Sequence, residues 1–257
     1  VLIGAGNVAT HLGRKLVEVG HEVEQIFSRD LQKAKQLGEL LAAAQVTSDL
    51  DEITNQADLY IIAVHDDAIG EVAGHLAKIG LDGKLIVHTS GATPLQVFAE
   101  AAPSLKHVGV FYPLQTFSKI RQPNFQQIPI CVDAQMPEDL MLLQHLGNQL
   151  SDQVYHINDE QRATLHLAAV FVNNFTNHLF AIGENILKDG NLSFQLLLPL
   201  IRETVGKLED GSPAAMQTGP AIRHDLETIR RHLQQLDGQP GLQEIYQLLT
   251  KSIQQTQ

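Results

Sequence analysis

The sequence holds one cysteine, Cys131, so no disulfide can form within the chain. A lone thiol suits a reducing compartment, and no signal-peptide pattern is visible. Both observations point to the cytoplasm. Basic residues are scarce as well: Lys+Arg number 18 against 29 Asp+Glu, a formal net charge of −11. So acidic a surface repels phosphate backbones, which excludes nucleic acid as a general partner. It also lacks a basic patch to hold it on an anionic membrane. No apolar run reaches the roughly 18–20 residues that span a bilayer. The longest, around Leu196-Leu197-Leu198, is interrupted by Gln195, Pro199 and Arg202. His-Glu-x-x-His and paired Cys/His ligands are missing, so the 12 scattered histidines predict no metal site. Gly-x-Ser-x-Gly is missing too, which removes that route to hydrolysis.

Hydrophobic residues make up 44% of the chain and charged residues 18%, which suits a packed globular protein. The 257 residues allow one large domain or two modest ones. The chain opens at Val1 inside a strand-like run, so a few residues are expected before it. Up to residue 157, short β-like runs alternate with helical stretches. Strands are expected near 1–3, 22–27, 58–64, 84–88, 108–111, 128–132 and 154–157. Helices are expected near 7–19, 31–44, 66–79, 94–100 and 137–150. The run 58–64 is almost wholly apolar, as a strand covered on both faces must be. This alternation predicts an α/β fold with a mainly parallel, doubly wound sheet. Beyond it only helical patterns follow: a long helix from Asn158 or Asp159 to about Lys188, then 193–208 kinked by Pro199, 221–236, and 240–254. The expected division is 1–155, α/β, and 156–257, all-helical.

Val1-Leu2-Ile3-Gly4-Ala5-Gly6-Asn7-Val8-Ala9 is the most informative stretch. It reads as strand, then G-x-G-x-x-A, then helix. Gly4 permits a tight turn, Gly6 lets backbone approach a pyrophosphate, and Ala9 lets the helix pack close. The helix start offers free N–H groups to phosphates, with Asn7 and Val8 at its first positions. The second strand ends in Ser28-Arg29-Asp30. A hydroxyl with a guanidinium suits the 2′-phosphate of NADP, and Lys33 is consistent with it. NAD is the lesser expectation: a register shift would put Asp30 in the reading position, whereas Asp30 can also simply cap the next helix.

In such a sheet ligands lie beyond the carboxyl ends of the strands. Three segments end there: Val64-His65-Asp66-Asp67, His88-Thr89-Ser90-Gly91 and Tyr112-Pro113-Leu114-Gln115-Thr116-Phe117. Val64, His65 and Thr89 are candidates for the cofactor, and Ser90 for catalysis. The second segment can also be a turn into a helix at Pro94, with Thr93 as its cap. The third can line a pocket or pack as plain loop. On the long helix Asn173 and Asn177 return to within about 20° of His166 at helical spacing. Their apolar neighbours imply a largely buried helix, whose amides need a ligand, another helix or a twin subunit as partner. His166 and Asn173 are accordingly candidate catalytic residues. Near the end, Thr218-Gly219-Pro220 leads to Arg223 and Asp225. These two are too close for an i,i+4 pair, so each needs another partner or solvent.

Together these residues resemble a family that pairs a Rossmann-like domain with a helical domain of unknown function. Its members are generally described as NADP oxidoreductases. The matching motifs are Gly4–Ala9, His88–Gly91, Pro113–Phe117, the Asn173-Asn174-Phe175 helix, and Thr218-Gly219-Pro220 with Arg223 and Asp225. More distantly the chain is similar to pyrroline-5-carboxylate reductase and the deazaflavin-dependent NADP oxidoreductases. It is also similar to the 6-phosphogluconate dehydrogenase C-terminal-like superfamily, which includes the β-hydroxyacid dehydrogenases. Their helical domains often form dimers, and the resemblance implies a homodimer here. It also implies hydride transfer between NADPH and a small C=O or C=N substrate. One departure stands out: β-hydroxyacid dehydrogenases carry a catalytic Lys four residues before an Asn, where this chain has Ala169. The acid would then be His166, Ser90, His88 or a group on the substrate. The alternative is an NADP-binding sensor or assembly module without turnover.

Overall fold

The structure, a computed structural model, describes residues 1–255. It divides into two compact units, Val1–Asn177 and His178–Gln257. The first is built on one sheet of eight strands: β1 (Leu2–Ile3), β2 (Gln25–Phe27), β3 (Gln45–Thr47), β4 (Leu59–Ile62), β5 (Leu85–His88), β6 (Val108–Pro113), β7 (Ile130–Ala134) and β8 (Val154–His156). Their order is β3-β2-β1-β4-β5-β6-β7-β8, and every pair is parallel except β6 with β7. The direction of winding reverses between β1 and β4. A crevice at such a point is where doubly wound sheets take ligands.

Five helices cover the sheet: α1 (Asn7–Glu18), α2 (Leu31–Leu41), α3 (Ile69–Leu76), α4 (Gln96–Ala101) and α5 (Pro137–Leu150). Successive strand residues face opposite ways. Leu2, Ile61 and Val87 pack under α1, α2 and α5. Ile3, Ile62 and Ile86 pack under α3 and α4. Both faces are therefore apolar. Each fully shielded isoleucine contributes about 1.5–3 kcal/mol. Cys131, buried in β7, has its thiol pushed up to about 11 by desolvation and is an inert core group.

β3 has no counterpart in the strands expected from the pattern. It is three residues long with only Thr47 buried, so no alternation marks it. The helix before it stops early because Ala42 adopts the left-handed conformation. α4 begins at Gln96, not Pro94, and Thr93 does not cap it.

A helix α6 (Asp159–Ala169) starts at Asn158 with a reciprocal capping box to Gln161. It passes into a π-helical turn, Val170–Phe175, before continuing as α7 (Thr176–Asp189). A π-turn closes i→i+5, so regular 100° spacing does not carry through it. The single polar line of His166, Asn173 and Asn177 is thereby broken. Nor is this helix largely buried: Leu167, Phe171, Val172 and Phe175 are 51–74% exposed.

The second unit contains α8 (Leu198–Gly206), α9 (Leu226–Gln235) and α10 (Pro240–Gln255), with no strand among its described residues. Pro199 opens α8 after a 3-10 turn and does not kink a longer helix. α9 starts at Leu226, later than the expected 221, because His224 has φ +52° and Asp225 caps the helix by accepting the Thr228 N–H. The His232 ring and the Tyr246 hydroxyl, 2.8 Å apart, tie α9 to α10.

At the end of β5, His88 is fully buried, and its Nδ1 accepts the Ser90 N–H at 3.2 Å. An accepting Nδ1 puts the proton of the neutral ring on Nε2. Burial, reinforced by the Arg162 guanidinium, holds this imidazole down to about 3 against weaker opposing effects of Asp159 and the Pro94 carbonyl. The unfolded chain takes up that proton near 6.5 and the folded chain does not. His88 therefore removes stability as pH falls from about 6.5 towards 3. Between pH 7 and pH 4 the wild type should lose about 3 kcal/mol more than His88→Gln, measured by urea unfolding. Parallel losses would show that His88 titrates normally.

Candidate functional site

The turn after β1 is shaped by two glycines with different constraints. Gly4 has φ +123°, and a Cβ there would collide with the Ala63 carbonyl. Its N–H is held by the Phe27 carbonyl at 2.8 Å, and the Ala63 N–H by Ile3 at 2.7 Å. Gly6 has φ −83°, which any residue adopts, and a Cβ there would meet nothing within 4 Å. Open space beside an unstrained glycine is a cradle that a side chain would fill. Gly6 is the N-cap of α1 but has no side chain to accept the first N–H groups, and the first turn carries no acidic residue. These donors and the positive helix end suit a pyrophosphate. Ala9, on α1, is wholly buried in the core that the helix shares with the sheet, so the third small residue of the motif is a packing requirement.

At the end of β2, Ser28 is buried and its Oγ accepts the Asp30 N–H at 3.3 Å. Arg29 is exposed. Asp30 caps α2, accepting the Gln32 and Lys33 N–H groups at 3.0 and 3.3 Å. One carboxylate oxygen, Oδ1, makes both of these bonds. A cleft beside the turn is lined by Ala5, Thr10, Arg14, Lys33 and Lys119. It gathers three cations on a chain of net charge −11. The Asn7 side chain ties the helix start to a distant segment: Nδ2 donates to the Phe117 carbonyl at 2.9 Å. His11 stacks on Phe117 at 5.2 Å, and its Nε2 lies 2.8 Å from the Ser118 carbonyl. The segment after Pro113 thus forms a wall along α1.

Three strand ends meet at the crevice. Val64, whose Cγ1 would lie 3.5 Å from a Cβ on Gly4, adjoins the turn, and His65 follows it, exposed. Thr89 continues the ladder, its N–H bonded to the Ile62 carbonyl at 3.1 Å. Ser90 is buried, and its Oγ accepts the N–H groups of Ala92 and Thr93 at 3.1 and 2.9 Å. Its hydroxyl proton is not used by that turn. Gly91 is buried against two groups from elsewhere: a Cβ would fall 2.5 Å from His166 Nδ1 and 2.9 Å from the Tyr112 Oη.

Tyr112, at the end of β6, and His166, on α6, are joined at 3.2 Å between Oη and Nδ1. Desolvation pushes the phenol up to about 12, helped by Cys131 and Asp66 and opposed by Arg162. A phenol that keeps its proton donates to Nδ1, which assigns the imidazole proton to Nε2. Asn173 is half-buried in the π-turn, and its amide finds no partner among the described residues.

Tyr112 was legible only as a pocket-lining residue, since one hydroxyl ending an apolar strand is a weak mark. Arg162 was not singled out at all. It is 1% exposed and reaches from α6 to the Thr93 carbonyl at 2.7 Å. The signal available was Asp159, Arg162 and His166 at helical spacing.

Crevice, glycine turn and doubly wound sheet define a dinucleotide-binding oxidoreductase of Rossmann type with a helical C-terminal part. Residues 1–91 match the family described as NADP oxidoreductase, coenzyme F420-dependent, and residues 128–253 match a domain of unknown function, DUF2520. A Bacteroides fragilis protein described as a "putative NADP oxidoreductase" is 42% identical, over 99% of this chain and 96% of that one, with TM-score 0.93. The chain belongs to this NADP oxidoreductase family. The fold also matches the pyrroline-5-carboxylate reductase of Coxiella burnetii, at 13% identity, TM-score 0.61, and 99% and 95% coverage of the two chains. It matches an Aspergillus terreus reductive aminase, solved with NADPH and ethyl levulinate, at 17% identity, TM-score 0.70, and 99% and 91% coverage. No curated protein matches the chain. Among the described residues no helix is long and apolar enough to cross a membrane.

The two glycines make separable expectations. Gly4→Ala should lower unfolding stability by about 2–4 kcal/mol through strain and collision. Gly6→Ala should unfold within about 0.5 kcal/mol of wild type and yet bind NADPH at least about tenfold more weakly by calorimetry. Unchanged NADPH affinity in Gly6→Ala would remove the pyrophosphate from this turn.

Proposed function

We propose that the protein transfers hydride between NADPH and a small C=O or C=N compound held at the crevice. The observation that carries this reading is the Tyr112–His166 pair, seated over Gly91 at the ends of β5 and β6. Gly4, Gly6, Val8 and Ala9 shape the dinucleotide turn, with Asn7 bracing its wall. Ser28 and Arg29 hold the 2′-phosphate, and Val64, His65 and Thr89 border the nicotinamide end. NADPH, when bound, supplies the hydride. Tyr112 keeps its proton until a strongly basic oxygen or nitrogen develops on the substrate, then releases it there. His166 accepts the phenol O–H through Nδ1 and so positions it at the crevice, and solvent restores the Tyr112 proton as product leaves. Ser90 offers its free hydroxyl proton, and Asn173 its unpartnered amide, to orient the substrate. This division of labour needs no lysine at Ala169.

Tyr112→Phe should lower turnover of reducible cyclic imines or small ketones by about 10²–10⁴-fold, followed as loss of NADPH absorbance. NADPH affinity should stay within about twofold, because the phenol acts only on the proton. Asn173→Leu should likewise lose turnover while retaining NADPH. Wild-type binding of NADPH with no turnover across the panel would favour the second reading, a sensor or assembly module, which the alanine at position 169 supports.

The exposed Phe171, Val172 and Phe175, with Leu200, Val205 and Leu248 in the second unit, support pairing of two copies through helical surfaces. A lone free thiol, Cys131, and the use of NADPH support a cytoplasmic location, and the net charge of −11 disfavours nucleic acid as a partner. Light scattering should give about twice the 28.2 kDa chain mass, and Phe171→Glu should lower it. A wild-type monomer at micromolar concentration would refute the pairing.

A further inference from the structure

Arg162 is among the largest fully buried side chains, yet it touches neither Tyr112 nor His166 through a hydrogen bond. Its Nη2 donates to the Thr93 carbonyl at 2.7 Å and to Asp159 Oδ1 at 2.6 Å. Asp159 in turn accepts the Leu95 N–H, with both carboxylate oxygens at 2.9 Å. One guanidinium and one carboxylate therefore fasten the first turn of α6 to the segment that follows β5. Nε and Nη1 have no acceptor among the described residues. A charge kept this dry and incompletely bonded is a poor stabilising device, so its place calls for a geometric reason.

We propose that Arg162 is a positioning residue: it clamps α6 to residues 93–95 and so sets His166 over Gly91 and against the Tyr112 hydroxyl. This rests on the reading of Tyr112 and His166 as the proton-handling pair. Arg162 and His166 stand one helical turn apart on the same face of α6. The loop that Arg162 grips is continuous with Gly91. The seat at Gly91 has no slack, since even a methyl group there would overlap both Tyr112 and His166. A small movement of α6 relative to the loop therefore breaks the contact. The guanidinium also favours the ionised phenol, against burial, so its loss makes Tyr112 still harder to ionise.

The test uses the full chain with NADPH bound and reads the pair directly. In ¹⁵N-histidine-labelled protein the His166 Nδ1 resonance is assigned by its loss in His166→Asn. In the wild type, Tyr112→Phe should move this resonance, because the phenol no longer donates to it. In Arg162→Met the same Tyr112→Phe change should leave it unmoved, and Arg162→Lys should restore part of the response. Turnover in Arg162→Met should fall about 10²-fold with NADPH affinity within about threefold, and Arg162→Lys should recover at least about tenfold of it. A folded Arg162→Met protein whose His166 signal still responds fully to Tyr112 overturns the proposal. If Arg162→Met does not fold, Asp159→Asn carries the same comparison, and a full response there overturns it equally. Absence of turnover in the wild type would sink the proposed reaction alone, since the resonance test needs no substrate.

Discussion

At the centre of the sheet the backbone of Gly4 passes so close to the Ala63 carbonyl that no side chain fits between them. The chain must also turn there with φ +123°. β1 and β4 lie side by side with the winding reversed between them, so this approach fixes where the chain leaves the sheet. α1 then starts directly above the crevice with its first N–H groups free. Gly6 keeps the space in front of them open. Moving Gly4 would shift β1, α1 and the wall that Asn7 and His11 hold through Phe117 and Ser118.

The other half of the site is set by strand length. β5 ends at His88 and β6 runs on to Pro113, so Tyr112 projects beyond its neighbour. Thr89, Ser90 and Gly91 turn beneath it, and α6 brings His166 from above. Electrostatics divides the two ends. The turn side gathers Arg14, Lys33 and Lys119, which suits an anion. The strand-end side is dry, holds His88 neutral and keeps the Tyr112 proton in place. An end that attracts phosphate and an end that keeps a proton in place beside the reacting atoms are what hydride transfer to a C=O or C=N bond needs.

Local chemistry explains which parts were legible in the sequence. The turn from Gly4 to Ala9 is readable because each small residue meets a backbone constraint within a few positions. Buried strands such as 58–64 are readable because both faces are apolar. Asp30 is ambiguous from spacing alone, and the structure shows that it does cap α2. β3 escapes notice because three residues at a sheet edge carry no pattern. The π-turn at Val170–Phe175 changes the helical period without a sequence mark, and so disrupts the alignment of His166 with Asn173. The exposure of Phe171 and Val172 reverses the burial that their apolar character implied. Arg162 reads as a solvated charge on any helical wheel, and only the packing of α6 against the segment after β5 puts it indoors. Tyr112 and His166 lie 54 positions apart, so their pairing exists only in three dimensions.

The central claim is that one crevice holds phosphate at the glycine turn and reacting groups at Tyr112 and His166. A crystal structure of the protein with NADPH tests it most directly. The pyrophosphate should lie against Gly6 and the first N–H groups of α1, with the nicotinamide ring beside Thr89 and facing Tyr112. A nicotinamide ring directed away from the ends of β5 and β6 would contradict it.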